Sequence, residues 1–235
     1  FENLSARCKA SMSYLNDQYS DPDAWVEEAR NTLRGHLHYQ APKVDFNPEL
    51  IETVDRGEFT RELLMISITP ESRVPVYVLV PKDLDKPAPA LVALHDHGGF
   101  YLWGKEKIVG VDPIHPGLAD FQQINYEGRH IADELAKRGF VVIVSDMLHW
   151  GERGLYLEDD PERIAQRTMD VTAQDILDFN ARSWAHEELM GRTSLTCGVT
   201  WAGINTQDDR RIADYLCSRP EVDSERVGCI GLSLG

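Results

Sequence analysis

The last five residues of the chain, 231–235, follow the pattern Gly-x-Ser-x-Gly, and the segment Arg226-Val227-Gly228-Cys229-Ile230 comes directly before them. In a nucleophile elbow, a strand turns sharply into a helix and holds a serine in a strained conformation with its hydroxyl exposed. Glycines flank this serine because the turn leaves no room for a Cβ. Since residues 226–230 predict a strand, Ser233 is the candidate nucleophile. The alternative is a glycine-rich turn that contains a serine by chance.

The elbow pattern also predicts where the other residues of the catalytic triad lie in the sequence. A serine held in this way is followed along the chain by an acidic residue and then by a histidine. Both would come after Gly235, so we expect the triad acid and histidine to lie outside this chain. We therefore predict an incomplete domain, truncated after the elbow and inactive alone. The first residue is Phe1, which predicts a missing or processed start as well.

Apolar and β-branched residues mark four further strands. Residues 59–68 and 74–80 predict a hairpin around a turn at 70–73. Residues 90–94 and 140–144 are short, continuous apolar runs, as in strands that are covered on both faces. Since helical patterns separate the later strands, we predict an α/β fold with a mostly parallel sheet and helices on both faces.

Two helices can be placed between these strands. The first is predicted at residues 126–138, and the second at about 206–218. Thr206 can cap the second helix, which puts Asp208 and Asp209 in its first turn, where carboxylates are favourable. We therefore interpret both aspartates as residues of a helix start and not as catalytic acids.

The chain divides into two predicted parts. Residues 1–50 form an N-terminal helical extension, and residues 51–235 form the α/β domain, with an insertion at about 147–203 that folds over the sheet edge. In the extension, Ser20 or Asp21 can cap a helix. An apolar stripe at every fourth residue indicates that this helix packs on the main domain; a dimerisation arm is the alternative. The stripe consists of Trp25, Ala29, Leu33 and Leu37.

A second element of chemical interest is the segment 94–99, at the end of the apolar strand 90–94. Acyl transfer generates an oxyanion, which fixed backbone N–H groups stabilise. One such donor is the amide after the nucleophile, here Leu234, and the other comes from the loop after an earlier strand. Because two glycines let a backbone approach closely, we predict the amide of His97 as this second donor, with Gly98 as the alternative. A plain glycine turn would explain the same residues.

His95 and His97 also invite a metal site, because alternate residues of a strand share a face and Asp96 lies between them. We predict no metal, since two imidazoles followed by glycines fit an oxyanion loop better than a rigid set of ligands. Instead, His95 is expected to be hydrogen-bonded at the strand end and to fix the loop.

A polar loop with several glycines, residues 146–154, follows the strand at 140–144. Loops at the carboxyl ends of parallel strands lie on the side where ligands bind. Trp150 is therefore a candidate wall of the acyl pocket, and Trp103 a second candidate. Glu152 and Arg153 are expected to form a local ion pair. The alternative is that these residues only shape the loop.

Charge and cysteine content limit the classes of partner. The net charge of −15 argues against nucleic acid and against anionic membrane surfaces. No apolar run is long enough to span a bilayer, and no signal peptide opens the sequence. The four cysteines lack the spacing of a zinc site, and Cys229 should be buried in its strand. Reduced cysteines favour a cytoplasmic location; secretion stays open because the chain does not begin with methionine.

Together these segments resemble the α/β-hydrolase superfamily, in particular the branch of dienelactone hydrolase-like proteins and acetyl-xylan-esterase-like hydrolases. The resemblance is carried by residues 94–99, 139–146, 208–216 and 219–223, which lead into the elbow. It implies a three-layer α/β-hydrolase fold from about residue 60 onward and serine chemistry without a cofactor or metal. Many relatives have glycine where Asp96 stands, which bears on the choice between the two oxyanion amides.

The first functional hypothesis is a serine-dependent carboxylic-ester hydrolase that forms an acyl-enzyme on Ser233. Its partner would be a small-molecule ester; acetyl on a sugar is the substrate that the resemblance implies. The alternatives are a serine peptidase of the same fold, because esters and amides share this apparatus, and a non-catalytic binding protein of this fold. A homo-oligomer is compatible with all three.

Overall fold

The structure, a computed structural model, describes residues 2–8, 10–15 and 18–235. The strands of this part of the chain are β1 (Glu49–Asp55), β2 (Phe59–Thr69), β3 (Ser72–Pro81), β4 (Ala88–Leu94), β5 (Val141–Ser145) and β6 (Val222–Gly231). Its α-helices are α1 (Glu2–Ser5), α2 (Pro22–Leu37), α3 (Pro116–Tyr126), α4 (Ile131–Lys137), α5 (Glu162–Gln166), α6 (Ala173–Thr196) and α7 (Trp201–Ser218). None of these helices combines the length and the apolar character that a bilayer-crossing segment needs.

All six strands join one sheet in the order β1-β2-β3-β5-β4-β6. The pairs β1–β2, β2–β3 and β3–β5 are antiparallel, whereas β5–β4 and β4–β6 are parallel. The predicted α/β class and the hairpin of β2 and β3 are confirmed. The sheet was predicted to be mostly parallel but is mixed, because the hairpin strands extend it on one side: three of the five pairs are antiparallel, and only β5, β4 and β6 are adjacent strands that run in the same direction. These three strands end at the same edge, where the candidate site lies.

The core lies on both faces of this sheet. In β3, the side chains of Val76 and Val78 belong to one apolar cluster, and those of Tyr77 and Leu79 belong to another. Since alternate residues of a strand point to opposite faces, the two clusters lie on opposite sides. Helix α7 packs on the first face, and helix α4 packs on the second. The sheet is thus the middle layer of three.

The N-terminal helix α2 forms where a cap is available. Asp21 accepts a hydrogen bond from the Asp23 N–H (3.0 Å), and Pro22 occupies the first turn. The predicted stripe is only partly covered: Trp25 is half-buried, but Leu33 is 60 % exposed. The predicted extension also includes residues 1, 9, 16 and 17, which lie outside the described residues.

The predicted helix at 126–138 is wrong in its first turn. Glu127 and Gly128 adopt left-handed conformations (φ 56° and 71°), so α3 ends at Tyr126 and α4 begins only at Ile131. A left-handed pair cannot continue an α-helix. Helix α3, which begins with Pro116 in its first turn, was not predicted.

The start of the last helix also differs from the prediction. Helix α7 begins at Trp201, and Thr200 is its cap, with its hydroxyl accepting from the Gly203 N–H (2.9 Å). Thr206 therefore lies inside the helix, and Asp208 and Asp209 lie beyond its first turn. Both threonines satisfy the local capping rule, but only Thr200 also donates a hydrogen bond to the Leu37 carbonyl (2.6 Å).

The prediction that Cys229 is buried is wrong as well. The residue lies within β6, as expected, but it is exposed. Strand β6 is at the edge of the described sheet and pairs only with β4, so its side chains have fewer neighbours than those of a central strand.

Candidate active site

The candidate elbow is a tight turn at the end of β6. Ser233 is the second residue after β6, is exposed, and has a φ of +58°, a conformation that residues with a Cβ rarely adopt. The Gly235 N–H donates to the Leu232 carbonyl (3.0 Å), which closes the turn. A Cβ on Gly231 would lie 2.1 Å from the Gly235 carbonyl carbon, so the turn tolerates only glycine there.

The elbow lies against the end of β4. A Cβ on Gly235 would be 2.6 Å from the Leu94 carbonyl oxygen and 2.9 Å from the His95 carbonyl oxygen. This proximity follows from the sheet, because β6 and β4 are parallel neighbours and Leu94 pairs with Gly231. The parallel register thus brings together two segments that are about 140 residues apart in sequence, the elbow and the loop after β4.

The loop after β4 offers two backbone donors. Gly98 and Gly99 both have positive φ values (57° and 63°), which turn the chain sharply after His97. Within the described residues, the N–H groups of His97, Gly98 and Leu234 donate no hydrogen bond. N–H groups without an acceptor, on a backbone held in this way, can receive a negatively charged oxygen.

The imidazole of His97 helps to hold this loop. Its Nδ1 accepts the Gly99 N–H (3.0 Å), so Nε2 carries the proton and donates to Glu187 Oε1 at 2.9 Å. Glu187 is on α6, and so is the exposed Trp184, whose ring centre lies 5.6 Å from that of His97. The side chain of His97 is therefore committed to the loop and to α6, while its backbone N–H stays open.

A buried lysine also binds this loop. The Lys107 ammonium donates to the carbonyl oxygens of Asp96 (2.8 Å) and His97 (2.9 Å), and its side chain is fully buried. Burial lowers the pKa of Lys107 to about 8, although nearby carboxylates, first among them Asp96, oppose this shift. Lys107 therefore fixes the positions of two consecutive carbonyl groups of the loop.

His95 has the structural role that the sequence suggested. Its Nδ1 donates to the Asp96 carbonyl (2.9 Å), and its Nε2 accepts from the Met147 N–H (3.1 Å). Burial and then the charge of Lys107 lower the pKa of His95 to about 4, so the ring is neutral around pH 7. The Asp96 carboxylate is also buried and accepts a hydrogen bond from the Tyr126 hydroxyl. Both side chains tie the loop to its surroundings.

The two tryptophans predicted to line the pocket are both buried. Trp150 is 0 % exposed, is stacked between Tyr101 and Trp201, and donates from Nε1 to the His97 carbonyl (3.2 Å). Trp103 is 4 % exposed and stacks on Phe100. Their role as pocket walls stays a prediction that this placement does not favour, because both side chains are buried.

Lys105 and Asp146 are the buried centre of a network of charged side chains. The Lys105 ammonium contacts Asp146 (2.9 Å) and Glu152 (2.6 Å), and Glu152 also binds Arg167 (3.0 Å). The expected pair of Glu152 with Arg153 is wrong: Arg153 reaches across to Asp208 on α7 (2.6 Å). Glu152 and Arg153 each pair with a residue that is distant in sequence, because the loop turns their two side chains in different directions.

A cavity borders the site. An apolar cavity of about 240 Å³ adjoins the elbow; its lining includes Ala93, Ile108, Tyr126, Ile131, Ile230 and Leu232. In the described part of the chain, no group of three or more histidine, cysteine, aspartate or glutamate side chains is arranged to hold a metal ion.

Two residues that bind the loop had no signal in the sequence. Lys107 is 10 residues from the loop carbonyl of His97, and Glu187 is 90 residues from His97. Neither residue belongs to a local pattern, and an isolated lysine or glutamate is normally interpreted as a surface residue. Only the fold identifies them.

Comparison with known proteins is consistent with this geometry. A family model described as "Abhydrolase family" matches residues 2–235. A Bacillus subtilis (strain 168) protein with the provisional name hydrolase YtaP is 27% identical over 195 residues, which are 81% of this chain and 52% of that protein.

Solved structures confirm the fold. A Bacteroides fragilis protein provisionally named an acetyl xylan esterase has a TM-score of 0.66 at 19% identity, over 91% of this chain and 48% of its own. Glucuronoyl esterase from Solibacter usitatus has a TM-score of 0.50 at 16% identity, over 90% and 53% of the two chains. The chain thus spans about half the length of these relatives.

Proposed function

The chain belongs to the Abhydrolase family, and on this premise we propose that it carries the nucleophile and the oxyanion-binding groups of a serine-dependent carboxylic-ester hydrolase. The observation that carries the proposal is the conformation of Ser233, which is exposed with a φ of +58° two residues after the end of β6. A non-glycine residue persists in such a conformation only where the surroundings enforce it, and such sites are commonly functional.

In the proposed reaction, Ser233 Oγ attacks the ester carbonyl carbon while a histidine accepts its proton. The carbonyl oxygen becomes negative and is held by the N–H of Leu234 and the N–H of His97, with Gly98 as the alternative donor. The C–O bond then breaks, and the alcohol leaves with the proton from the histidine. Water releases the acyl group from Ser233 by the same steps in reverse.

The histidine and its acidic partner are assigned by the order of residues in this type of enzyme, which places both after the nucleophile. The described histidines near the loop support this assignment because they are already engaged. His95 uses both ring nitrogens for backbone groups, and His97 uses Nδ1 for Gly99 and Nε2 for Glu187. Neither has a nitrogen left to accept a proton from Ser233.

The proposed substrate is a small ester, with an acetyl group on a sugar as the first choice. The support comes from solved structures of similar fold whose proteins are named as an acetyl xylan esterase and a glucuronoyl esterase. No cofactor or metal takes part in the proposed chemistry, because oxyanion stabilisation by backbone N–H groups needs neither.

The test is intact-protein mass spectrometry of the complete protein after treatment with a fluorophosphonate, together with hydrolysis of p-nitrophenyl acetate. We expect one adduct per chain, located on the Ser233 peptide, and ester hydrolysis that Ser233→Ala abolishes. Ser224→Ala is the matched control, because Ser224 is an exposed serine of the same strand, β6. It should keep both the adduct and the activity.

The same experiment separates the alternatives. Faster turnover of a peptidyl amide than of the acetyl ester would replace the esterase by a serine peptidase. A folded wild-type protein without an adduct and without turnover of either substrate would overturn the enzyme proposal and favour a non-catalytic binding protein.

A further inference from the structure

Lys107 is a buried cation for which the proposed reaction has no role so far. Its side chain is 0 % exposed, and it makes no ion pair with any described residue; its hydrogen bonds go to two backbone carbonyls. Removing an ammonium from water without a carboxylate partner is costly. The lowered pKa of Lys107, about 8, reflects this cost. Buried charges that are maintained against such a cost occur preferentially at functional sites.

The two carbonyls that Lys107 binds belong to the peptides of the proposed oxyanion donors. The Asp96 carbonyl shares a peptide unit with the His97 N–H, and the His97 carbonyl shares one with the Gly98 N–H. Both peptides are trans, so each N–H points away from its own carbonyl. A cation on the carbonyl side therefore directs both N–H groups to the opposite side.

The charge of Lys107 adds an electrostatic effect to this orientation. An ammonium next to a carbonyl oxygen draws electron density toward that end of the peptide, which makes the N–H at the other end a stronger donor. The effect is larger in a buried environment, where the effective dielectric constant is low. A stronger and oriented donor stabilises an oxyanion more than it stabilises a neutral ester carbonyl.

We propose that Lys107 is a positioning residue of the oxyanion site: by binding the Asp96 and His97 carbonyls, it directs the N–H groups of His97 and Gly98 at the oxygen that becomes negative during acyl transfer. The inference rests on the proposed function. Lys107 touches no reacting atom and acts only through the loop.

Other groups bind the loop, but they do not replace Lys107. His95 binds the Asp96 carbonyl alone, and Trp150 binds the His97 carbonyl alone. Lys107 is the one described side chain that bridges the two carbonyls. Its loss leaves the Asp96 carbonyl with His95 alone and the His97 carbonyl with Trp150 and the Phe100 N–H, and removes the group that couples the two peptides.

The experiment compares Lys107→Met and Lys107→Gln with the wild type in the complete protein. Methionine fills the space without donors, whereas glutamine keeps an NH₂ group that can bind both carbonyls without a charge. We measure kcat and KM for p-nitrophenyl acetate, and the inhibition constant of an acyl trifluoromethyl ketone, which forms a tetrahedral oxyanion adduct with a serine.

Loss of one oxyanion donor lowers kcat by about 10²–10³, so for Lys107→Met we expect a loss of about 10- to 100-fold in kcat with KM changed less than about threefold. Ketone affinity should fall by the same factor as kcat/KM. Lys107→Gln should recover part of both losses. If Lys107→Met does not fold, the glutamine variant alone should still show reduced kcat and ketone affinity at an unchanged KM.

Arg61→Met is the matched control. Arg61 is also a buried cation that donates to a backbone carbonyl, that of Gly110; it also pairs with Glu52, and its contacts within the described part of the chain do not involve residues 96–99. It should lower the melting temperature and leave kcat per folded molecule and ketone affinity unchanged.

Two results would overturn the inference. One is a folded Lys107→Met protein with kcat and ketone affinity within twofold of the wild type. The other is an equal loss of both quantities in the Arg61→Met control, which would indicate general destabilisation. A wild-type protein without turnover and without a fluorophosphonate adduct is a different outcome, because it overturns the proposed function and this inference with it.

Discussion

Gly231 and Gly235 cross at close range, so that a Cβ built on Gly231 would lie 2.1 Å from the carbonyl carbon of Gly235. The two residues enclose Ser233, and their approach bends the chain back after β6. The obstructing atoms belong to the backbone and cannot move aside as the end of a side chain can. Because neither glycine has a side chain, the turn can be this tight, and Ser233 can lie exposed between them.

The first prediction follows from this crossing. Gly231→Ala should open the elbow and lower the rate of fluorophosphonate labelling of Ser233 by at least about tenfold, because a misplaced nucleophile loses its alignment with the oxyanion donors. Gly191→Ala is the control: a Cβ there meets nothing within 4 Å, and the residue lies within α6. It should raise the free energy of unfolding by about 0.5–1 kcal/mol and leave labelling unchanged. Equal labelling rates in Gly231→Ala and the wild type would contradict the argument.

The second prediction concerns the two glycines of the loop after β4. Both have positive φ, but a Cβ on Gly98 would lie 2.3 Å from Asp96 Oδ2 and 2.6 Å from the Phe121 ring, whereas a Cβ on Gly99 meets nothing within 4 Å. Gly99→Ala should thus cost only the strain of the left-handed conformation, about 1–2 kcal/mol. Gly98→Ala should cost more, because the Tyr126 hydroxyl holds the Asp96 carboxylate in place.

Urea unfolding of both variants measures this difference. Gly99→Asn serves as a further control, since asparagine tolerates the left-handed conformation better than alanine does. If Gly98→Ala and Gly99→Ala were equally stable, the close contact at Gly98 would have no energetic consequence.

The third prediction tests the corrected start of α7. The Thr200 hydroxyl accepts from the Gly203 N–H and donates to the Leu37 carbonyl, so it caps α7 and joins it to the end of α2. Thr200→Ala should lower the free energy of unfolding by about 1–2 kcal/mol. Thr206→Ala should not lower it, because alanine is the better helix former inside a helix. A larger loss for Thr206→Ala in thermal unfolding would restore the cap expected from the sequence.

The sequence identified those features whose cause is local. The apolar runs of β4 and β5 and the elbow glycines act within a few residues, and so they could be predicted before the fold was known. The start of α7 could not, because Thr200 and Thr206 satisfy the same local rule and a contact with Leu37, 163 residues away, accompanies only one of them.

The candidate site divides in the same way. Ser233 and the glycines of the loop belong to short patterns that have a geometric meaning. The residues that hold the loop belong to no such pattern. Lys107 and Glu187 contact it only because the sheet and α6 bring them there. The exposure of Cys229 was missed for a related reason, since a β-strand pattern does not tell an edge strand from a central one.

The fourth prediction concerns the pH dependence of stability. The ordinary pKa of lysine is 10.5, and burial lowers that of Lys107 to about 8 in the folded protein. Between these two pH values, the unfolded chain holds a proton on Lys107 that the folded protein has released. Stability increases with pH wherever the unfolded state binds more protons. Lys107 should therefore reduce stability most below pH 8, and this penalty should disappear as the pH rises toward 10.5.

The measurement is the free energy of urea unfolding of the wild type and of Lys107→Met, at several values between pH 7.5 and 10.5. The difference between the two proteins cancels the titration of all other groups, including the nearby Asp96, Asp146 and Glu106, to the extent that the substitution leaves them unchanged. This difference should move in favour of the wild type by up to about 3 kcal/mol across the range, at about 1.4 kcal/mol per pKa unit. A constant difference would mean that Lys107 titrates alike in both states, and a shift in favour of methionine would mean that its pKa rises on folding. Because the loss of hydration on burial outweighs the attraction of the nearby carboxylates, first among them Asp96, we expect neither result.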